Sequence, residues 1–226
     1  MKIFIDNKQE IEFSEQELDE MYFNEGEEGI IYQYGEYAYK IYKRYCRKYR
    51  LTEEDCEKMI EIPTKNVLLP RGMIYDKNHQ FIGYYTNFIE RQPIPKILSL
   101  SLKDFVMKVG EVTDDLSLLA KNEILVEDMI LQNFCYEDGF YFVDPGSYTF
   151  LDSFSKIILE SFNREEFIKF LVKEIFARSL KISRPEERKL EKYFLELTDM
   201  SEILISEDEN QSVKKYLKRK TLFNEE

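Results

Sequence analysis

Apolar positions along this chain follow two different periods, and the change falls near residue 90. Before it, apolar residues alternate with polar ones or gather in short runs. Ile3-Phe4-Ile5 and Ile11-Glu12-Phe13 predict two strands bounded by polar turn residues. Gly26 to Tyr42 is an aromatic, β-branched run, and Gly35-Glu36 interrupting it predicts a hairpin. Leu51 to Ile62 reads as the only clear helix of this half. Thr52 suits the N-cap, and Glu53, Glu54 and Asp55 put negative charge at the positive end of the helix dipole. Pro63 follows its end. Strands are expected again at Gly72 to Tyr75 and Phe81 to Glu90, with a turn at Lys77-Asn78.

After Arg91-Gln92-Pro93-Ile94-Pro95, which reads as a connector, the period becomes helical. Residues 101–122 and 154–220 carry apolar side chains at helix spacing; Phe167, Phe170, Leu171, Glu174 and Ile175 illustrate it, with one polar member. One compact hairpin separates these blocks. Asn133-Phe134-Cys135-Tyr136 and Phe140-Tyr141-Phe142-Val143 flank Glu137-Asp138-Gly139, and Asp-Gly is a strong turn signal. The acidic tract Ser206 to Asn210 is expected to be a loop. The fold class is therefore α+β, with strands first and helices after.

Composition narrows the functions. The chain has 226 residues, 43% hydrophobic and 15% aromatic, which suits one sizeable core or two small packed lobes. Its formal net charge of −12 repels nucleic-acid phosphates and anionic membranes, so no nucleic-acid partner is expected. Two basic clusters interrupt this, Lys40 to Arg50 and Lys214 to Lys220, each either a docking patch or a solvated face. Cys46, Cys56 and Cys135 have no metal-ligand spacing and read as reduced thiols of a cytoplasmic protein. His79, the only histidine, sits in a polar run and is expected to be a turn residue, which argues against histidine-based catalysis or metal sites. The N-terminus turns polar too soon for a signal peptide, and no apolar run reaches the length of a membrane span.

The chemistry-bearing residues concentrate between Asp128 and Gly146. Asp128 is followed by Asn133, then by the hairpin, then by Asp144-Pro145-Gly146. An Asn amide oxygen and an Asp carboxylate are hard ligands that suit magnesium. A hairpin would hold Asn133 and Asp144 at the open ends of adjacent strands. Asp128 could orient a hydroxyl and accept its proton. An ordinary surface hairpin flanked by solvated acids would carry the same residues.

This segment resembles the catalytic segment of the protein-kinase-like superfamily, with its catalytic-loop Asp, an Asn five residues on, a strand pair and an Asp before a Gly. The N-terminal half adds elements in the family's order. Gly26-x-x-Gly29 resembles a reduced glycine-rich loop, and Tyr37-Ala38-Tyr39-Lys40 the strand that carries the phosphate-pairing lysine. A lysine ending an aromatic strand is otherwise a snorkelling residue. The acidic helix would supply the carboxylate that orients Lys40. Glu57 is the preferred choice, with Glu53, Glu54 and Glu61 open. Phe81 to Glu90 resembles the strand into the interlobe hinge, with Thr86 as gatekeeper and the backbone of Asn87 to Ile89 meeting the adenine edge. The resemblance spans about residues 20–150. It implies a two-lobed fold with an antiparallel-sheet N-lobe (1–89), a hinge near 87–92 and a mainly helical, shortened C-lobe (90–226). It implies ATP and Mg2+ as cofactors, with Asn133 and Asp144 as metal ligands and Lys40 and Asp128 as catalytic residues.

The chain departs from the family's pattern in several places. Glu27 and Glu28 occupy the glycine-loop tip, where carboxylates repel phosphate. Val126-Glu127 stands where the family has His-Arg, Pro145 where it has Phe, and no Ala-Pro-Glu follows Gly146. Ser147 to Phe154 is expected to pass almost directly into helix. These features resemble small atypical kinases of the bacterial, Rio or aminoglycoside-phosphotransferase kind. The implied function is phosphoryl transfer to a hydroxyl of an unknown protein or small molecule. A pseudokinase acting as a nucleotide-binding or scaffolding module, nucleotidyl transfer, and an unrelated α+β protein stay open.

Overall fold

The computed structural model describes residues 2–6, 9–45, 50–90, 95–197 and 199–222. Cys46, the middle of the first basic cluster and residues 91–94 of the expected connector lie outside these. The chain is α+β and divides into two compact units. The first comprises Met1–Thr64, Leu68–Phe88 and Asp144–Tyr148; the second comprises Lys65–Val67, Ile89–Val143 and Thr149–Glu226. No helix among the described residues is long and apolar enough to cross a membrane.

A seven-stranded antiparallel sheet forms the first unit. Its strands are β1 (Lys2–Ile5), β2 (Gln9–Glu12), β3 (Tyr22–Glu25), β4 (Gly29–Tyr34), β5 (Tyr37–Tyr42), β6 (Gly72–Tyr75) and β7 (Phe81–Asn87), in the order β2-β1-β6-β7-β5-β4-β3. The predicted hairpin is β4–β5: Tyr34 pairs with Tyr37 across a two-residue turn, and Gly35 takes the left-handed conformation (φ 60°) such a turn requires. Successive strand residues face opposite sides. On one side Ile3, Ile5, Phe13, Tyr39 and Ile74 make a core cluster, with Ile41 and Tyr85 packed against it. Lys40, Tyr42 and Tyr84 alternate with these residues and belong to the other side.

Two helices accompany this sheet, α1 (Glu15–Met21) and α2 (Glu53–Ile60). α2 has the predicted cap. Thr52 Oγ1 accepts from Asp55 N–H at 3.1 Å, and the Asp55 carboxylate accepts from Thr52 N–H at 3.0 Å. The expectation that it is the only helix in this half is corrected by α1. That helix is two turns long and brings only Leu18 and Met21 to the core, too short a run to show a period. A reciprocal cap holds it: Glu17 N–H donates to Ser14 Oγ at 3.1 Å and Ser14 N–H to Glu17 Oε2 at 2.7 Å. His79 is a turn residue as expected, at φ 56°.

The second unit is mainly helical. Its elements are α3 (Pro95–Ser99), α4 (Leu102–Lys121), β8 (Ile124–Leu125), β9 (Phe134–Tyr136), β10 (Phe140–Phe142), β11 (Thr149–Phe150) and α5 (Lys156–Phe170). α5 runs through a π-helical stretch, Leu171–Ala177, into α6 (Arg178–Leu180); α7 (Arg184–Glu196), α8 (Glu202–Ser206) and α9 (Val213–Leu222) follow. The β9–β10 hairpin brings Phe134, Phe140 and Phe142 together. Their rings meet Phe105 of α4 and Phe167 and Phe170 of α5 at centroid distances of 4.9 to 5.8 Å. Each such pair contributes about 0.5–1.5 kcal/mol beyond its buried area, so the hairpin is fixed by its own apolar faces. Between Gly146 and α5 the chain does not pass straight into helix. A 3-10 turn (Pro145–Ser147) intervenes, then β11, which pairs with β8. The basic stretch at Lys214–Lys220 is an amphipathic helix face. Val213, Tyr216 and Leu217 are buried, and Arg219 and Lys220 pair with Glu207.

Candidate functional site

Lys40 lies on β5, flanked by β4 and β7, and only 7% of it is exposed. A buried ammonium is strongly disfavoured unless it is paired. Two carboxylates meet it: Asp144 Oδ1 and Glu28 Oε2, each 2.5 Å from Nζ. Tyr84 stands opposite Lys40 in the β5–β7 ladder, and its hydroxyl donates to Asp144 Oδ1 at 3.2 Å. Gly146 N–H donates to the same oxygen at 3.3 Å. One carboxylate oxygen thus takes three donors. Burial pushes the Tyr84 hydroxyl well above its ordinary pKa, and the neighbouring Asp144 adds to this, so Tyr84 stays protonated and can donate to Asp144. Tyr42, two residues beyond Lys40 on the same strand face, buries its hydroxyl close to the Leu51 backbone. Burial raises its pKa too.

Asp144 takes a left-handed backbone conformation, φ 68° and ψ 75°. Gly146, two residues on, has no positive φ, so the left-handed turn is made at Asp144 itself. Asp tolerates the left-handed region better than most residues. Asp128 is left-handed as well, at φ 54°.

The glycine pair occupies the β3–β4 turn. Gly26 N–H donates to Gly29 C=O at 3.0 Å, and Lys43 N–H to Glu28 C=O at 2.8 Å. Gly29 is required by close approach, because a Cβ there would lie 2.6 Å from Ile41 O. Glu27 is exposed, whereas Glu28 turns toward Lys40. The expected α2 partner is therefore replaced. Glu57 is exposed on α2, and the carboxylates on Lys40 come from the glycine turn and from Asp144. The Glu28 backbone is held beside β5, because Lys43, the residue after that strand, donates its N–H to Glu28 C=O.

Of the expected hinge residues, Thr86 is buried and its hydroxyl donates to Leu69 C=O at 3.0 Å. Asn87 ends β7, paired with Tyr37, and Phe88 N–H donates to Glu36 C=O at 2.8 Å, so that donor is already used. Ile89 is half-buried and belongs to the second unit.

In the second unit Asp128 is exposed beside a cavity of about 380 Å³ lined by Glu127, Phe162, Glu165, Glu166 and Lys169 among others. Its carbonyl accepts from Asn133 Nδ2 at 3.2 Å and from Ile130 N–H at 2.8 Å. Asn133 C=O accepts from Val143 N–H at 2.8 Å, the residue before Asp144. Magnesium keeps much of its water shell and takes one or two carboxylates, so an Asn amide oxygen and one Asp are a chemically fitting donor set. Among the described residues no group of three or more His, Cys, Asp or Glu is placed to hold a metal.

Two further polar residues shape this unit, and both interrupt apolar stripes. Asn163 of α5 is fully buried; its Oδ1 accepts from Val126 N–H at 2.8 Å and its Nδ2 donates to Ile124 C=O at 3.0 Å. It fixes the segment 124–126, which ends two residues before Asp128. Asp115 of α4 accepts three backbone N–H groups, from Lys65, Asn66 and Val67, on Oδ2 alone. Sequence reasoning missed both, although a polar residue between Leu159 and Phe167, or between Val112 and Leu119, is a legible signal. Glu28 carried the opposite sign, as a liability to phosphate binding. Compared with known proteins, the chain matches no family model, and no curated protein matches it.

Proposed function

We propose that this protein is a small phosphotransferase with a two-lobed protein-kinase-like fold that uses Mg2+ and ATP. One observation carries the reading. Lys40 and Asp144, named by the sequence resemblance for phosphate and metal, lie 2.5 Å apart although 104 residues separate them. A strand-rich unit and a helical one support the same reading. In this reading Lys40 turns its ammonium to the α- and β-phosphates. By the resemblance, Asn133 and Asp144 would be the residues that hold magnesium, and the ion would screen the phosphate charge. Asp128 orients the acceptor hydroxyl and takes its proton as the acceptor oxygen bonds to the γ-phosphorus and the bond to ADP breaks. The acceptor is a protein or a small molecule.

The test is binding first and turnover second. Calorimetry with a non-hydrolysable ATP analogue and magnesium should show binding that K40A removes. Release of ADP from ATP, with phosphoryl appearing on an acceptor or on water, should vanish in D144N and fall about 10²–10⁴-fold in D128N. Absence of binding by the unaltered chain refutes the reading. The pseudokinase alternative is favoured by one observation, the engagement of Lys40 by two carboxylates. Binding without turnover would select it, and mass analysis of products separates a phosphoryl from a nucleotidyl adduct.

A further inference from the structure

The first half of α5 exposes more apolar surface than any other stretch of comparable length among the described residues. Residues 154–162 hold four of the eleven exposed large apolar side chains: Phe154 at 48%, Ile157 at 79%, and Ile158 and Phe162 at 46% each. Apolar residues scattered singly over a surface need no account, but a contiguous patch on one element marks a docking surface. The patch is held rigidly. In the same turns Leu159 and Asn163 are buried, and Asn163 is bonded to Val126 and Ile124. Glu160 Oε1 accepts from Ser117 Oγ at 2.5 Å, and Lys156 Nζ donates to Lys121 C=O at 2.7 Å. These side chains are exposed on a fixed helix, not on a fraying end.

The sequence carries the patch onward. Ile158, Phe162, Glu165, Glu166 and Lys169 follow one another at steps of three and four residues, so they share one helix face. Phe162, Glu165, Glu166 and Lys169 form one wall of the cavity whose other wall is residues 125–128. From Ile158 to Lys169 the face runs for about 16 Å, roughly three turns of helix. One end of it is apolar. The other is acidic: Asp128, Glu165 and Glu166 line the cavity, and Lys169 meets Glu165 at 2.7 Å and Glu166 at 3.9 Å.

A second helix laid along this face would set apolar anchors over Ile158 and Phe162 and Lys or Arg side chains over the acidic end. Charge selects that occupant. A second copy of this chain would bring a net charge of −12 to an acidic rim, and an anionic lipid surface is repelled by the same carboxylates. We propose that this face of α5 is a docking surface for a basic amphipathic helix of another protein. The proposal is independent of the nucleotide reading, and its test uses no nucleotide.

The experiment is selection of displayed random peptides of about 16 residues on the full chain, with counter-selection on the double variant I158S/F162S. Fluorescence anisotropy then measures the enriched peptides against each chain, and circular dichroism checks that every variant is folded. The enriched peptides should carry apolar residues at steps of three and four, with an excess of Lys and Arg. I158S/F162S should weaken them at least about tenfold, and E165Q/E166Q about three- to tenfold, more at low salt than at high. I205S removes an 86% exposed apolar side chain from α8 and should leave binding unchanged. The proposal is overturned if no peptide is enriched on the unaltered chain over the double variant, or if the enriched peptides lack the basic excess. It is also overturned if sedimentation shows self-association that I158S/F162S disperses, or if the chain pellets with anionic vesicles and the double variant does not. The face would then belong to a second copy or to a membrane.

Discussion

Replacing Asp115 tests how the second unit holds the segment Lys65–Val67. Three N–H groups converge on Asp115 Oδ2, at 2.9 Å from Lys65, 2.5 Å from Asn66 and 2.8 Å from Val67. The same segment is tied to the hairpin. Phe142 N–H donates to Asn66 C=O at 2.8 Å, and Asn66 Nδ2 donates to Phe140 C=O at 2.9 Å. Because a single oxygen takes all three donors, two substitutions separate charge from hydrogen bonding. D115N keeps an acceptor oxygen and loses the charge. A hydrogen bond to a charged group is worth about 1.5–3 kcal/mol and a neutral one about 0.5–1.5, so D115N should cost about 2 kcal/mol, the shared oxygen making the three bonds less than additive. D115A removes the acceptor. Asn66 and Val67 are buried, and each stranded N–H costs about 1–3 kcal/mol, giving about 4 kcal/mol in all. At this chain length that lowers Tm by about 8–16 °C. Guanidinium unfolding gives the free energies. Native-state hydrogen exchange should show the Asn66 and Val67 amides losing protection in D115A. A D115A chain within about 1 kcal/mol of the unaltered one, with those amides still protected, would refute the reasoning.

Three other outcomes follow from the same structure. N163A removes the side chain that satisfies Val126 N–H and Ile124 C=O, so it should destabilise by about 2–4 kcal/mol and slow any turnover that depends on Asp128; full stability would refute the anchoring role. Cys56 is buried, and burial, reinforced by Asp55, Glu53 and Glu57, pushes its thiol up to about 12; it should resist iodoacetamide at pH 8 in the folded chain and react on unfolding, as mass spectrometry would show. Hydrogen bonds from the Ser183 side chain and backbone lower the pKa of Glu186, and those from the Ser14 backbone and side chain lower that of Glu17. A depressed carboxyl contributes stability that is complete above its unfolded value and lost as pH falls through the folded one. The caps of α7 and α1 should therefore hold at neutral pH and fray below about pH 4, with carboxyl NMR midpoints beneath the ordinary glutamate value of about 4.3. Midpoints at or above that value would contradict the caps.

How much of this was legible depends on how far each feature reaches along the chain. The β4–β5 hairpin, the capped helix α2 and the β9–β10 hairpin are local patterns, and their residues announce them: Gly35 in the turn, Thr52 and Asp55 at the cap, Asp138-Gly139 between phenylalanines. α1 is equally local but brings only two apolar residues to the core, so no period could show. The site divides in the same way. Lys40 and Asp144 were nameable because each sits in a recognisable run. Their meeting, and the arrival of Glu28 between strand and turn, depend on the ladder from β3 to β7 and on where the chain re-enters the first unit at Asp144. A carboxylate at a glycine turn was read from its charge alone, as repulsion. In the structure that carboxylate pairs with the Lys40 ammonium, a partner twelve residues away that its own run does not announce.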